Sequence, residues 1–190
     1  VGEFTINDES SDNLFSLQSK YYDNSGEPYV KRDQNNDTLN IDLSIKNSGN
    51  FWNFNPDYSY DLKLGQQKLS TDISLKIGAG KSNVDINTLK INNLIAEVGA
   101  GQLNMTLNQK ALPTGDFSVK AGAGSIIINL PSNIGYKLFF KVGVGSINVD
   151  GRNIAQIGNN NSRYDSANIN SSGQIITINA DVGVGSLEIK

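Results

Sequence analysis

The sequence predicts an all-β chain: a parallel, right-handed β-solenoid of coils of about 21 residues, with an irregular, aromatic-rich β cap region in front of it. Three observations carry this. Gly-X-Gly occurs five times, as Gly78-Ala79-Gly80, Gly99-Ala100-Gly101, Gly122-Ala123-Gly124, Gly143-Val144-Gly145 and Gly183-Val184-Gly185. The first glycines lie 21, 23, 21 and 40 residues apart. Each copy is flanked on both sides by short runs in which apolar residues alternate with polar ones, the pattern of a strand with one buried face.

In chain order, residues 1–70 form the cap region and residues 71–190 the solenoid. The first region holds ten of the fifteen aromatic residues. Phe4-Thr5-Ile6 reads as a short strand, residues 7–37 are polar and weakly patterned, and Leu39, Ile41, Leu43 and Ile45 alternate as a strand. Ser48-Gly49-Asn50 signals a turn. Phe51, Trp52 and Phe54 follow, then Tyr58, Tyr60, Leu62 and Leu64 as another alternating strand.

From Ile73 the glycine-aligned columns begin. Before the glycines stand Ile73, Leu75, Ile77; Leu94, Ala96, Val98; Phe117, Val119, Ala121; Leu138, Phe140, Val142; and Ile178, Ala180, Val182. After them stand residues such as Val84, Leu103, Met105, Ile126, Ile128, Ile147 and Leu187. One such repeat cannot bury its own apolar face, whereas stacked repeats make a continuous core. The 40-residue interval holds an insertion, 152–172, rich in Asn, Ser and Asp, which reads as a surface loop or hairpin.

Each Gly-X-Gly is expected to be a corner. Glycine there admits positive φ or close backbone approach, and the central Ala or Val is expected to point inward. Gly78-Ala79-Gly80-Lys81-Ser82 looks like the end of a phosphate-binding loop. That loop needs a further glycine where Leu75 stands, and a helix after it. The 26 asparagines invite side-chain ladders along the stacking axis.

Composition narrows the chemistry. Net charge is −3 with no basic patch, so nucleic acid is not an expected partner. Cysteine and histidine are both absent. This removes disulfides, thiolate metal sites and the commonest general base, and no cofactor or metal is expected. No run approaches the length of a membrane-spanning helix. The chain starts at Val1, so either a leader has been removed or the chain has been trimmed, and membrane association is expected only through a segment outside it.

The runs Asp72-Ile73-Ser74-Leu75-Lys76-Ile77-Gly78-Ala79-Gly80, Val142-Gly143-Val144-Gly145-Ser146-Ile147-Asn148-Val149-Asp150-Gly151 and Val182-Gly183-Val184-Gly185-Ser186-Leu187-Glu188-Ile189 resemble the bacterial toast-rack proteins. Their C-terminal half is similar to the LiaF-type cell-wall-active antibiotic response domain. The resemblance is strong over residues 58–190 and loose over 1–57. It implies a bacterial extracytoplasmic protein held at the surface or by a membrane anchor, and it supplies no catalytic residues.

The candidate binding residues are Phe51, Trp52, Phe54, Tyr58 and Tyr60, which could stack on sugar rings or anchor a protein, or else cover the end of the solenoid. Asp72, Asp85, Asp116, Asp150 and Asp181 lie near corners. They read as solvated turn carboxylates in preference to a calcium row or a glycosidase pair. The expected function is a non-catalytic interaction or sensing domain at the cell envelope, with a protein partner. The alternative is a carbohydrate-binding or adhesive module that takes a cell-wall glycan.

Overall fold

The computed structural model describes residues 2–9, 11–21, 27–35, 38–45, 58–65, 70–155 and 162–190. It is all-β apart from one 3-10 turn, Gln109–Ala111, among these residues. In chain order the strands are β1 (Gly2–Glu9), β2 (Phe15–Lys20), β3 (Pro28–Asn35), β4 (Thr38–Ile45), β5 (Tyr58–Gly65), β6 (Thr71–Ile77), β7 (Lys81–Ile86), β8 (Ile91–Val98) and β9 (Gln102–Leu107). Then come β10 (Phe117–Ala121), β11 (Ser125–Asn129), β12 (Gly135–Val142), β13 (Ser146–Val149), β14 (Arg152–Ala155), β15 (Ser162–Asp165), β16 (Ile175–Val182) and β17 (Ser186–Ile189).

Each Gly-X-Gly repeat gives one strand to each of two sheets. The nine-stranded sheet runs β14-β13-β17-β11-β9-β7-β1-β5-β2 and the six-stranded sheet β15-β12-β16-β10-β8-β6. Strands of neighbouring repeats are parallel and in register, for example Phe117 between Leu94 and Ile178. The sheets are nonetheless mixed. Antiparallel strands β14, β15 and β2 lie on β13, β12 and β5. Among the described residues, β3 and β4 pair only with each other.

The repeats do not stack in sequence order. β16 lies between β10 and β12, and β17 between β11 and β13, so the fifth repeat sits between the third and the fourth. Packing and charge both favour this order. Across the six-stranded sheet, one outward row reads Lys141, Asp181, Lys120, Glu97, Lys76. Glu97 reaches Lys120 at 3.3 Å and Lys76 at 3.8 Å. Sequence order would set Lys120 against Lys141, and like charges directly opposite are unfavourable. On the inner side, Phe140 lies beside Ala180, where a large ring meets a small neighbour.

The insertion lends an edge strand to each sheet: β14 returns on β13 as a hairpin, and β15 lies on β12. Asp150 and Gly151, both at positive φ (48° and 75°), turn the chain from β13 into β14 as a two-residue hairpin. β15 then covers the edge of the other sheet.

The core lies between the two sheets. Leu94, Phe117, Ile126, Ile128, Leu138, Ile147, Ile178 and Leu187 are fully buried, and Phe140 nearly so. Leu75 and Ile77, on the edge strand β6, are only half-buried.

The corners do stack. Ala100 N–H donates to Gly78 O, Ala123 to Gly99 O, Val184 to Gly122 O and Val144 to Gly183 O, at 2.7–2.8 Å. Of the corner glycines only Gly80 has positive φ (124°), so left-handed backbone is not why the others are glycine. Close approach is: a Cβ on Gly101 would sit 2.5 Å from Gly80 O, and one on Gly124 2.5 Å from Gly101 O.

The central residues Ala79, Ala100, Ala123, Val144 and Val184 point outward, against expectation. The backbone contact between corners fills the inner side, and the central side chain is turned to solvent. Part of the asparagine ladder is present, with Asn129 Nδ2 donating to Asn104 Oδ1 at 3.1 Å.

Two outcomes follow for stability. Gly78 has open space where a Cβ would go. Gly78→Ala is therefore expected to leave the denaturation midpoint almost unchanged, while Gly101→Ala lowers stability by about 1–3 kcal/mol through overpacking. Equal midpoints would refute the close-approach account. Asp181→Lys places three lysines side by side and is expected to cost about 1 kcal/mol at low salt. That cost should shrink in about 1 M NaCl, and a salt-independent loss would show that charge is not the cause.

Candidate functional site

Three described surface regions interrupt or decorate the repeats. The first is the wing of the nine-stranded sheet formed by β1, β5 and β2. β1 enters between β5 and β7, parallel to both. Its register sets Glu3 opposite Lys81, which brings Gly2 over Gly80, and a Cβ on Gly80 would lie 2.6 Å from Gly2 O. Gly2-Glu3-Phe4-Thr5-Ile6 is thus the second half of a glycine repeat. The signal was present in the sequence as Gly-X-apolar-X-apolar, matching Gly101-Gln102-Leu103-Asn104-Met105.

β1 is held at its far end by Asp8. The carboxylate accepts from Asn87 N at 2.8 Å, Thr88 N at 2.6 Å, Leu89 N at 3.1 Å and Thr88 Oγ1 at 2.6 Å. Successive N–H groups aimed at one anion form a nest. Burial alone would raise the Asp8 pKa, but the hydrogen bonds from Thr88, Asn87 and Leu89 together outweigh it and hold the pKa below the ordinary value.

Of the predicted aromatic residues, Phe51, Trp52 and Phe54 lie outside the described residues. Tyr58 is half-buried opposite Gly2. Tyr60 is 4 % exposed, and its ring stacks on Phe4 with centroids 5.7 Å apart. The alternation of β5 sends Tyr60 inward and Asp61 outward. On the outer side a shallow cleft of about 390 Å³ is lined by Glu3, Thr5, Gln18, Lys20, Ser59 and Asp61, among others. Glu3 accepts from Asn83 Nδ2 at 3.2 Å. Asp61 Oδ1 is buried with no hydrogen-bond partner among the described residues.

The second region is the insertion end. Arg163 donates twice to Asp165 and lies 5.8 Å from the centroid of the Phe139 ring, which is 42 % exposed. The hydrogen bond from Arg163 holds the Asp165 carboxyl below its ordinary range. Below this patch, burial, followed by the charge of Asp150, pushes the Tyr136 phenol well above its usual pKa. Ser166 Oγ accepts from Tyr136 N–H at 2.9 Å, and Asn168 Nδ2 donates to Ser132 O and Ile134 O, which fasten the insertion to β12.

The third region is the outward corner row Ala79, Ala100, Ala123, Val184 and Val144, a narrow apolar ridge in stacking order.

The corner carboxylates have local partners or local roles. Asp72 Oδ1 accepts from Asn93 N at 3.1 Å and from the Asn92 and Asn93 side chains at 3.0 Å. Asn93 Oδ1 in turn accepts from Asp116 N at 2.8 Å. Asp85 accepts from Asn87 Nδ2 at 3.2 Å. Asp150 shapes the hairpin and Asp181 the charge row. Among the described residues no three carboxylates converge as metal ligands. Lys81-Ser82 opens strand β7, not a helix, so the phosphate-loop context is missing.

The glycine repeats, their half-copy at Gly2 and the paired sheets agree with comparison to known proteins. A family model for the N-terminal domain of toast_rack, DUF2154, matches residues 1–129. The chain belongs to this toast-rack family. The match takes in residues 1–57, where the resemblance was loose, and it ends with the last residue of β11. A solved neighbour is the "putative cell adhesion protein" of Clostridium sporogenes ATCC 15579. It has a TM-score of 0.73 and 23 % identity, over 100 % of this chain and 88 % of that one. At that identity the likeness speaks for the fold. No curated protein matches the chain.

The Asp8 nest gives a prediction for the toast-rack wing. With its folded pKa lowered, Asp8 contributes fully above the ordinary aspartate value of 3.8, and its contribution is lost as pH falls through the folded value. Asp8→Asn is expected to lower stability near neutral pH by about 1–2 kcal/mol, since partial exposure screens the carboxylate. The difference from the parent chain should shrink as pH falls through the folded value and the carboxylate takes up its proton. A gap that does not change with pH would show that the carboxylate charge is irrelevant.

Proposed function

We propose that the chain is a non-catalytic interaction module of the bacterial cell envelope, displayed outside the cytoplasm and serving adhesion or sensing through a protein partner. The observation that carries this is the character of the candidate regions: an outward ridge, a capped end with Phe139 and Arg163, and a shallow polar cleft. Such extended surfaces on stacked repeats suit contact with other macromolecules. The fold shared along the whole chain with the clostridial protein supports the same reading.

The motifs of residues 142–190 support a LiaF-like second half, and the general sense of parallel crossovers supports right-handed coils. Phe51, Trp52, Phe54 and Tyr58 remain the candidate contact segment, without Tyr60, whose ring is buried on Phe4.

Asp61, which lines the cleft and whose Oδ1 has no hydrogen-bond partner among the described residues, favours one second reading, a cell-wall glycan as ligand, because sugar hydroxyls donate to carboxylates.

Antibody labelling of intact cells that express the native protein is expected to stain the outside, and the purified chain is expected to leave polysaccharides uncleaved. Staining only after permeabilisation would overturn the location. Polysaccharide turnover lost in Asp61→Asn would overturn the non-catalytic reading. Glycan-array binding lost in Trp52→Ala would favour the glycan over the protein partner.

A further inference from the structure

The fifth repeat, β16 and β17, occupies a slot whose two walls are both made by earlier repeats. β10 and β11 form one wall, β12 and β13 the other. The slot is specific. Asp181 fits between Lys120 and Lys141, and Ala180 makes room beside Phe140. Corner glycines meet on both sides: a Cβ on Gly183 would sit 2.9 Å from Gly122 O, and one on Gly143 2.8 Å from Gly183 O. Ile178, Val182, Leu187 and Ile189 are at most 1 % exposed within it. The insertion leads into this repeat, and its Ser166 and Asn168 fasten it to the fourth repeat. Beyond them the chain passes through Gly173, where an added Cβ would meet nothing within 4 Å, to Gln174, whose carbonyl accepts from Gly135 N–H at 3.0 Å.

We propose that this slot also takes the fifth repeat of a second copy of the chain, so that two copies join by exchanging residues 175–190. A second copy offers the slot the same charges, glycines and apolar side chains as the chain's own repeat. Every interaction broken within one copy is remade between the two, and only the hinge near Gly173 and the local concentration decide between closed and exchanged forms. Copies crowded on one surface, or on two surfaces facing each other, have that concentration. The biological role of the exchange rests on the envelope reading above. The exchange itself does not, and it is tested with purified protein.

Ser125 and Ser186 face each other across the slot with Oγ atoms 3.0 Å apart, and the chain has no cysteine of its own. Chains carrying Ser125→Cys and chains carrying Ser186→Cys are unfolded together, refolded at high concentration and oxidised. A disulfide-linked pair of one chain of each kind is expected, well above the like pairs in yield. The parent chain, refolded in the same way and sized by light scattering, is expected to give a dimer that persists on dilution. Monomer alone at every concentration overturns the proposal. A dimer without the mixed 125–186 link also overturns it, because the copies would then meet through another surface. Either failure leaves the envelope reading standing, and cytoplasmic localisation would leave the exchange standing.

Discussion

The distance between one backbone and the next at the Gly-X-Gly corner is the constraint on which the rest depends. Strands in a sheet are spaced by their hydrogen bonds, at about 4.8 Å. In a straight ladder side chains stand clear of the neighbouring backbone. At every corner glycine but Gly78, which lies at the sheet edge, the Cα faces the carbonyl of the repeat beside it, so that even a methyl group collides. Removing every Cβ from these positions lets the ladder continue around the bend. The hydrogen bonds from Ala100, Ala123, Val184 and Val144 then run unbroken from one sheet into the other. Both sheets inherit their register from that seam, and the apolar columns meet because of it.

Much of the fold was legible because this constraint is written in glycine, and the columns in period-two alternation. What was not legible is neighbourhood. All five repeats share one pattern, so the alternation alone does not set the order of stacking. The outward row carried the missing information: Lys76, Glu97, Lys120 and Lys141 alternate in sign only if Asp181 is brought forward. Gly2 was equally readable from Gly-X-apolar-X-apolar, yet that pattern without a full Gly-X-Gly around it is easily passed over. The central residues of the corners were misread as inward because alternation was carried through a turn that breaks it.

The candidate site was less legible than the fold, for a physical reason. Aromatic side chains serve packing and recognition with the same chemistry, and sequence cannot say which side of a strand faces solvent at an irregular end. Tyr60 went inward onto Phe4, whereas Phe139, within a regular repeat, is partly exposed beneath Arg163. Composition gave no help with Asp61, whose interest lies in a buried oxygen and not in its residue type.

The interleaved order has a consequence in time. A repeat array stacked in sequence order can grow as its chain emerges, each new layer settling on the last. Here the first strand waits for residues 58–86 before it has neighbours, and the middle layer of the far end is delivered only when residue 189 arrives. Neither sheet is continuous before then. Whatever releases this chain, ribosome or membrane pore, handles an unfinished and still pliable polypeptide until residue 189 has emerged.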